Sequence, residues 1–233
     1  MPAGITFDDT VATKLVVGLI AWFAQMGFHE GGHAWAAYKL GDDTAYLMGK
    51  RTVNPFAHVN WREPFSVISA VVMPAVTALY FTIPLGMAWV PVNPSKFRHP
   101  LRDHAIVAFA GPAGGFVVAI IFFLLYLAVY PIIHTADPSV AQALLYRLIA
   151  ITYITAIVYS VFNLVPIPPL DGSNILYFFG NEALRSFMDK IRPYGFMIII
   201  AVFWIAGGGV IIQPAISAML WPFVHIPPMV WGG

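Results

Sequence analysis

Three ionisable side chains, His29, Glu30 and His33, fall within five positions of an otherwise apolar run, F-H-E-G-G-H-A-W from Phe28 to Trp35. At 3.6 residues per turn the two histidines lie one turn apart on one helix face, with Glu30 beside them. Imidazoles in that register can chelate a metal ion, and the adjacent carboxylate can take a proton from an attacking water. A catalytic zinc site uses three protein ligands and keeps one position open, so a third ligand must come from elsewhere in the chain. Cysteine is absent from the 233 residues, which leaves His, Asp and Glu to supply it. Asp171 is the best candidate. Apart from Glu30 it is the only acid set deep in an apolar stretch, and Pro166, Pro168 and Pro169 interrupt the helix before it, so that its carboxylate can turn inward. Glu182 and Asp189 belong to a basic, solvated stretch.

These groups need a scaffold, and the composition says of what kind. With 59% hydrophobic and 10% charged residues and a mean hydropathy of +0.77, the chain reads as an all-α polytopic membrane protein. A net charge of +1 gives no field that would attract nucleic acid. Asp8 and Asp9 stand where a cleaved signal peptide would carry basic residues, so the first apolar segment is expected to remain a membrane helix.

That segment, residues 11–38, can cross a bilayer and ends at Lys39. His29 lies about 15 Å before Lys39 along a helix, within the apolar core. Residues 39–63 are polar, and within them 44–53 has the β-branched and aromatic content of a short membrane-associated strand. Residues 64–90 are apolar but carry Pro74 and Pro84, and a second basic stretch, 91–104, follows. Residues 105–130 read as a span whose Ala110, Gly111, Ala113, Gly114 and Gly115 would let another helix approach closely. Residues 142–179 begin as a span and break at the prolines. A third basic stretch, a last span over 194–212 and a tail rich in Pro and Trp complete the chain.

Ten of the twelve Lys and Arg fall in the three basic stretches. Cytoplasmic loops collect such residues. A single crossing by 64–90 would put the first two basic stretches on opposite sides, and 27 residues are too few to cross twice. The reading is four spanning helices plus one re-entrant segment, termini outside, in one membrane domain over 1–233. Five full spans is the alternative.

Three segments carry a resemblance: H-E-G-G-H at 29–33, A-G-P at 110–112 and N-L-V-P-I-P-P-L-D-G at 163–172. Together and in this order they resemble the signatures of the site-2 protease family of intramembrane zinc metalloproteases. G-D-D-T-A at 41–45, N-P-F-A-H at 54–58 and P-V-N-P-S-K-F-R-H-P at 91–100 are similar to its compact bacterial and archaeal branch. The resemblance covers residues 20–180. It implies one Zn2+ held by His29, His33 and Asp171, with Glu30 as general base and a transmembrane protein as substrate. It also implies a prokaryotic plasma membrane, where the charge count puts the site towards the cytoplasm, and it places Asn163 near the centre. There the Asn163 amide would bind substrate backbone or the developing oxyanion, or else bond a backbone group freed by Pro166. Gly31 and Gly32 depart from the family pattern, in which one of these positions commonly holds a bulkier residue; they weaken a helix but permit close packing. His58 matches a family position in the loop region at 54–58, where it would touch substrate or the site or else, as a loop histidine more often does, serve structure. A membrane metal-ion transporter and a non-proteolytic scaffold are the rival classes, though neither needs Glu30 between the ligands.

Overall fold

Helix α1 (Val11–Lys39) starts at Thr10, whose side chain accepts from the Thr13 N–H, and runs 29 residues without interruption. In the computed structural model, which describes residues 10–81, 83–135, 137–205, 207 and 209–231, α1 is the central element. After it come α2 (Thr44–Leu47), α3 (Pro64–Val67) and α4 (Met73–Tyr80), then α5 (Pro100–Ile133) and α6 (Val140–Asn163). The chain closes with α7 (Asp171–Phe179), α8 (Glu182–Ile191), α9 (Gly195–Ile200) and α10 (Gly209–Trp231). Helices α1, α5 and α6 are long and apolar enough to cross a membrane. They pack on one another, and their other faces carry exposed aliphatic residues such as Ile120 and Leu124, 57% and 56% exposed. Apolar residues in contact on so much outer surface fit a membrane protein.

Residues 64–90 form a hairpin. Helices α3 and α4 join through a wide turn at Ile68–Val72 into one 17-residue rod, Pro64–Tyr80, and an extended limb runs back along it. Thr77 Oγ1 accepts from the Leu85 N–H at 2.7 Å, the Met87 N–H donates to Ser69 O at 3.0 Å, and the rings of Phe65 and Trp89 lie 6.1 Å apart. The two ends of the segment therefore lie side by side. Pro74 has no N–H to offer Ala70 O, four residues earlier, and Trp22 Nε1 on α1 donates to that carbonyl at 2.8 Å instead. Tyr159 on α6 holds the returning limb by accepting from Gly86 N–H at 2.8 Å and donating to Pro84 O at 3.0 Å.

The basic stretches flanking the hairpin are tied together. Lys96 Nζ donates to Asp43 at 2.6 Å, and the Asn93 N–H donates to Asp42 Oδ2 at 2.6 Å. The hydrogen bond between them holds the Asp43 carboxyl below its ordinary value and the Lys96 ammonium above its own. Both groups are exposed, so the tether is weak and screened by salt. Asp43 contributes above its unfolded pKa of 3.8 and stops contributing as pH falls through its lower folded value. Lys96 contributes below 10.5 and stops as pH rises through its higher folded value. Amide exchange at Ser95 and Lys96 is therefore expected to show constant protection through neutral pH, once corrected for the intrinsic rate, and to lose it only in acid below 3.8 or in strong alkali.

Two expectations are corrected. Residues 44–53 form no strand: Thr44–Leu47 is a helical turn, Gly49 turns the chain at φ 71°, and 51–53 bends, with Thr52 N–H donating back to Lys50 O at 3.0 Å. Asp42 decides this, because its Oδ1 accepts from both the N–H and the hydroxyl of Thr44, and local bonds such as Lys50 N–H to Ala45 O close the turn. Among the described residues there is no strand for it to pair with. Residues 194–212 do not run as one span either. α9 passes into a wide turn, Ala201–Ile205, and Gly207 at φ 67° ends it before α10 begins. α10 is helical through what reads from sequence as a tail, despite Pro214, Pro222, Pro227 and Pro228. It packs on the bundle through α6: Tyr153 donates its hydroxyl to Met219 O, and Phe223 stacks on Tyr126 at 4.1 Å and on Tyr153 at 4.6 Å.

Candidate metal centre

The α1 face bearing His29 and His33 meets α5, and α7 brings Asp171 to it from the other end of the chain. The Nε2 atoms of the two histidines are 3.1 Å apart. Asp171 Oδ2 lies 3.2 Å from His29 Nε2 and 3.4 Å from His33 Nε2. Two donors each about 2.0–2.1 Å from a tetrahedral zinc are roughly 3.3 Å apart, so the three separations match one face of a zinc tetrahedron. Among the described residues, these three form the group that could hold a metal ion.

The donor chemistry agrees. A carbonyl can only accept, so the 2.8 Å contact between His33 Nδ1 and Val107 O makes Nδ1 the donor and leaves a lone pair on Nε2. Asp171 Oδ2 is buried with no hydrogen-bond partner. Lone pairs converging in a buried site repel one another, and a cation satisfies them together.

Asp171 reaches this point because α6 stops at Asn163 and the next seven residues turn sharply. Leu164 N–H and Val165 N–H bond back to Ser160 O and Phe162 O, and Pro166 has no N–H to continue the helix. Asp171 is then the first residue of α7, where the unpaired N–H groups of the first turn favour a negative charge. Gly172 seats against Leu164 O and Gly195 against Pro168 O, which fixes the turn.

Glycines set the depth of α1 in its surroundings. A Cβ on Gly32 would collide with Ala110 O, one on Gly114 with Phe28 O, and one on Gly31 would lie 2.8 Å from Thr52 O. Gly31 and Gly32 therefore serve close approach, to the backbone of Thr52 and Val53 on one side and α5 on the other. Gly111 touches the candidate ligands themselves: its Cβ would overlap the His33 imidazole and lie 2.9 Å from His29 Nε2. Replacing Gly111 with alanine gains about 1 kcal/mol of helix propensity but displaces a metal-facing ring. We expect zinc affinity, measured by competitive chelator titration, to fall about 10- to 100-fold, as when a partner of a ligand is lost.

Glu30 is buried, and with His29 it lines a cavity of about 340 Å3 bounded by α1, the returning limb of the hairpin, α6 and α9. Its walls are mostly apolar, including Met26, Met73, Phe162 and Leu170, and Asn163 lines it too. Asn163 Nδ2 donates to Tyr159 O at 3.0 Å within its own helix, so the backbone group it bonds is not one freed by Pro166. His58 is buried, donates from Nε2 to Thr52 O at 2.9 Å, and lies outside the donor group. Burial lowers its pKa below the ordinary histidine value. Sequence reasoning missed Trp22, Tyr159, Val107 O and the ligand-touching role of Gly111. The run of small residues at 110–115 signalled a close approach without naming what approaches.

A helical membrane-type bundle that brings two histidines and an aspartate onto one point beside a buried glutamate is the scaffold of a metallohydrolase. The chain is 32% identical over 218 residues, 91% of its length and 85% of the relative's, to the Bacillus subtilis protein named "Putative zinc metalloprotease YwhC". It is 26% identical over 222 residues, 93% of its length and 76% of the relative's, to "Putative zinc metalloprotease Rip2" of Mycolicibacterium smegmatis. The chain belongs to the site-2 protease family of zinc metalloproteases. No family model and no solved structure matches it.

Proposed function

We propose that this zinc metalloprotease cleaves peptide bonds in or near the transmembrane segments of membrane proteins. The supporting observation is the position of Glu30 and His29, one of the donor trio, at the wall of a mostly apolar cavity, inside a bundle whose long helices have apolar outer faces. His29, His33 and Asp171 would hold one Zn2+. When bound there, it lowers the pKa of water and polarises the scissile carbonyl. Glu30 takes the proton of the attacking water and returns it to the leaving amide nitrogen. The mostly apolar walls lower the local dielectric, which strengthens the pull of each charged group on the reacting atoms. Asn163, with one amide hydrogen committed to Tyr159 O, offers its remaining polar atoms to substrate backbone or to the developing oxyanion.

A substrate helix hides its peptide bonds and must unwind to be cut. The hairpin limb Leu85–Ala88, on the cavity wall and latched by Tyr159, is placed to receive such a segment. The Lys96–Asp43 tie joins the first two basic stretches at the Lys39 end of α1, which supports a site opening towards the cytoplasm of a bacterial plasma membrane.

The test is reconstitution with a transmembrane substrate and mapping of the cut by mass spectrometry. We expect cleavage within or at the border of the apolar segment, lost on chelation and restored by zinc. Zinc uptake into proteoliposomes without cleavage would overturn the proposal in favour of a transporter.

A further inference from the structure

The returning limb of the hairpin is bonded along two edges, and the edges differ. Leu85 N–H donates to Thr77 Oγ1 at 2.7 Å and Met87 N–H to Ser69 O at 3.0 Å, so these groups face the Pro64–Tyr80 rod. Pro84 O and Gly86 N–H face α6 instead, where one side chain takes both: the Tyr159 hydroxyl accepts from Gly86 N–H at 2.8 Å and donates to Pro84 O at 3.0 Å. This alternation from residue to residue is that of an extended chain in a sheet, and a carbonyl and an N–H two residues apart on one edge are groups that a neighbouring strand bonds. The phenol stands where that strand would be. The next N–H on the same edge, that of Ala88, has no hydrogen-bond partner among the described residues. Leu85, Gly86, Ala88 and Tyr159 line the same cavity as Glu30 and His29.

We infer that the Tyr159 hydroxyl is a place-holder for substrate backbone: an extended segment entering the cavity bonds Pro84 O, Gly86 N–H and Ala88 N–H, and the phenol gives way. This rests on the protease reading above and names what its substrate must displace. Backbone groups in an apolar setting are costly to leave unpaired, so the edge needs a partner while the cavity is empty. A side chain can supply one and then rotate away. The exchange is close to balanced, because the peptide offers the same two bonds that the hydroxyl gives up, and the further bond to Ala88 tips it towards substrate. An intact helix spends its own N–H and C=O groups internally, so the edge accepts only a segment that has unwound. The limb stays in place meanwhile. A Cβ on Gly86 would lie 2.5 Å from both Pro74 Cγ and Trp22 Cζ2, so its backbone is seated directly against α4 and α1.

The full-length protein in nanodiscs would be assayed with a transmembrane substrate. Tyr159→Phe removes the hydroxyl and keeps a ring beside Trp22, whose centroid lies 5.2 Å from that of Tyr159. KM should fall about fivefold, the worth of one net hydrogen bond, and the effect should appear in KM and not in kcat, because the exchange precedes the chemical step. Thr77→Val frees the opposite edge and should not lower KM. An equal fall in both variants would trace the effect to loosening of the limb and overturn the place-holder, and so would an unchanged or raised KM in Tyr159→Phe. A second readout needs no turnover. In Glu30→Gln protein carrying isotope-labelled alanine, hydrogen exchange at the Ala88 amide, followed by NMR, should slow about tenfold or more when uncleaved substrate is added. Unchanged exchange would overturn the docking edge, and this measurement decides the matter if Tyr159→Phe does not fold. Protection of Ala88 with no cleavage by the wild type would count against the protease reading alone and leave the edge standing.

Discussion

Glu30→Gln is expected to reduce cleavage of a transmembrane substrate by at least about 10³-fold, within the range for loss of a positioned general base, while bound zinc stays stoichiometric. Glutamine keeps the shape of the side chain, so α1 and the cavity wall should hold. The base is lost because an amide cannot accept the proton of the attacking water at neutral pH. Glu30 is only 6% exposed, and its neighbours His29 and His33 are committed to the donor group, so no other side chain on that face can stand in. The thermal midpoint should not fall, because replacing a buried carboxylate with a neutral amide removes a desolvation penalty. Wild-type cleavage by this variant, measured as single-turnover rates in proteoliposomes, would remove Glu30 from the mechanism.

Asp171→Ala should abolish both zinc retention and cleavage. With alanine there, only His29 and His33 remain of the donor group. We expect zinc affinity to drop by at least about 100-fold, the upper end of what loss of an outer-shell partner produces, and metal analysis after dialysis to find the protein empty. The isosteric Asp171→Asn keeps the packing of the proline turn and removes the charge, so it separates ligand loss from collapse of that turn. Stoichiometric zinc in both variants would take Asp171 out of the ligand set and leave the family assignment standing. Zinc lost from Asp171→Ala but kept by Asp171→Asn would show that the turn, and not the charge, is required.

Much of this architecture could be read from local rules. Helical periodicity alone puts His29 and His33 on one face, because i and i+4 are neighbours in any α-helix. The cost of a buried acid singled out Asp171 among eleven acidic residues. Counting Lys and Arg by segment led to the expectation of a re-entrant 64–90, and in the fold Phe65 and Trp89, near its two ends, lie 6.1 Å apart. Where the reading went astray, a short-range competition was decided by one side chain. Asp42 captures Thr44 and winds 44–47 into a turn in spite of its β-branched content, and Gly207 interrupts what looks like a continuous apolar span.

By itself the sequence determined the membrane-protein class from composition, set His29 and His33 on one helix face with Glu30 beside them from spacing, and singled out Asp171 as the candidate third donor from the cost of an acid in an apolar stretch. Only the tertiary structure decided that Asp171 lies 3.2 Å from His29 and that Gly111 seats against both imidazoles. It alone placed Trp22 and Tyr159 as latches of the hairpin. Such contacts join residues tens to more than a hundred positions apart. They are set by how closely glycines let α1, α5 and α6 approach, a property of paired surfaces that no single stretch of sequence carries.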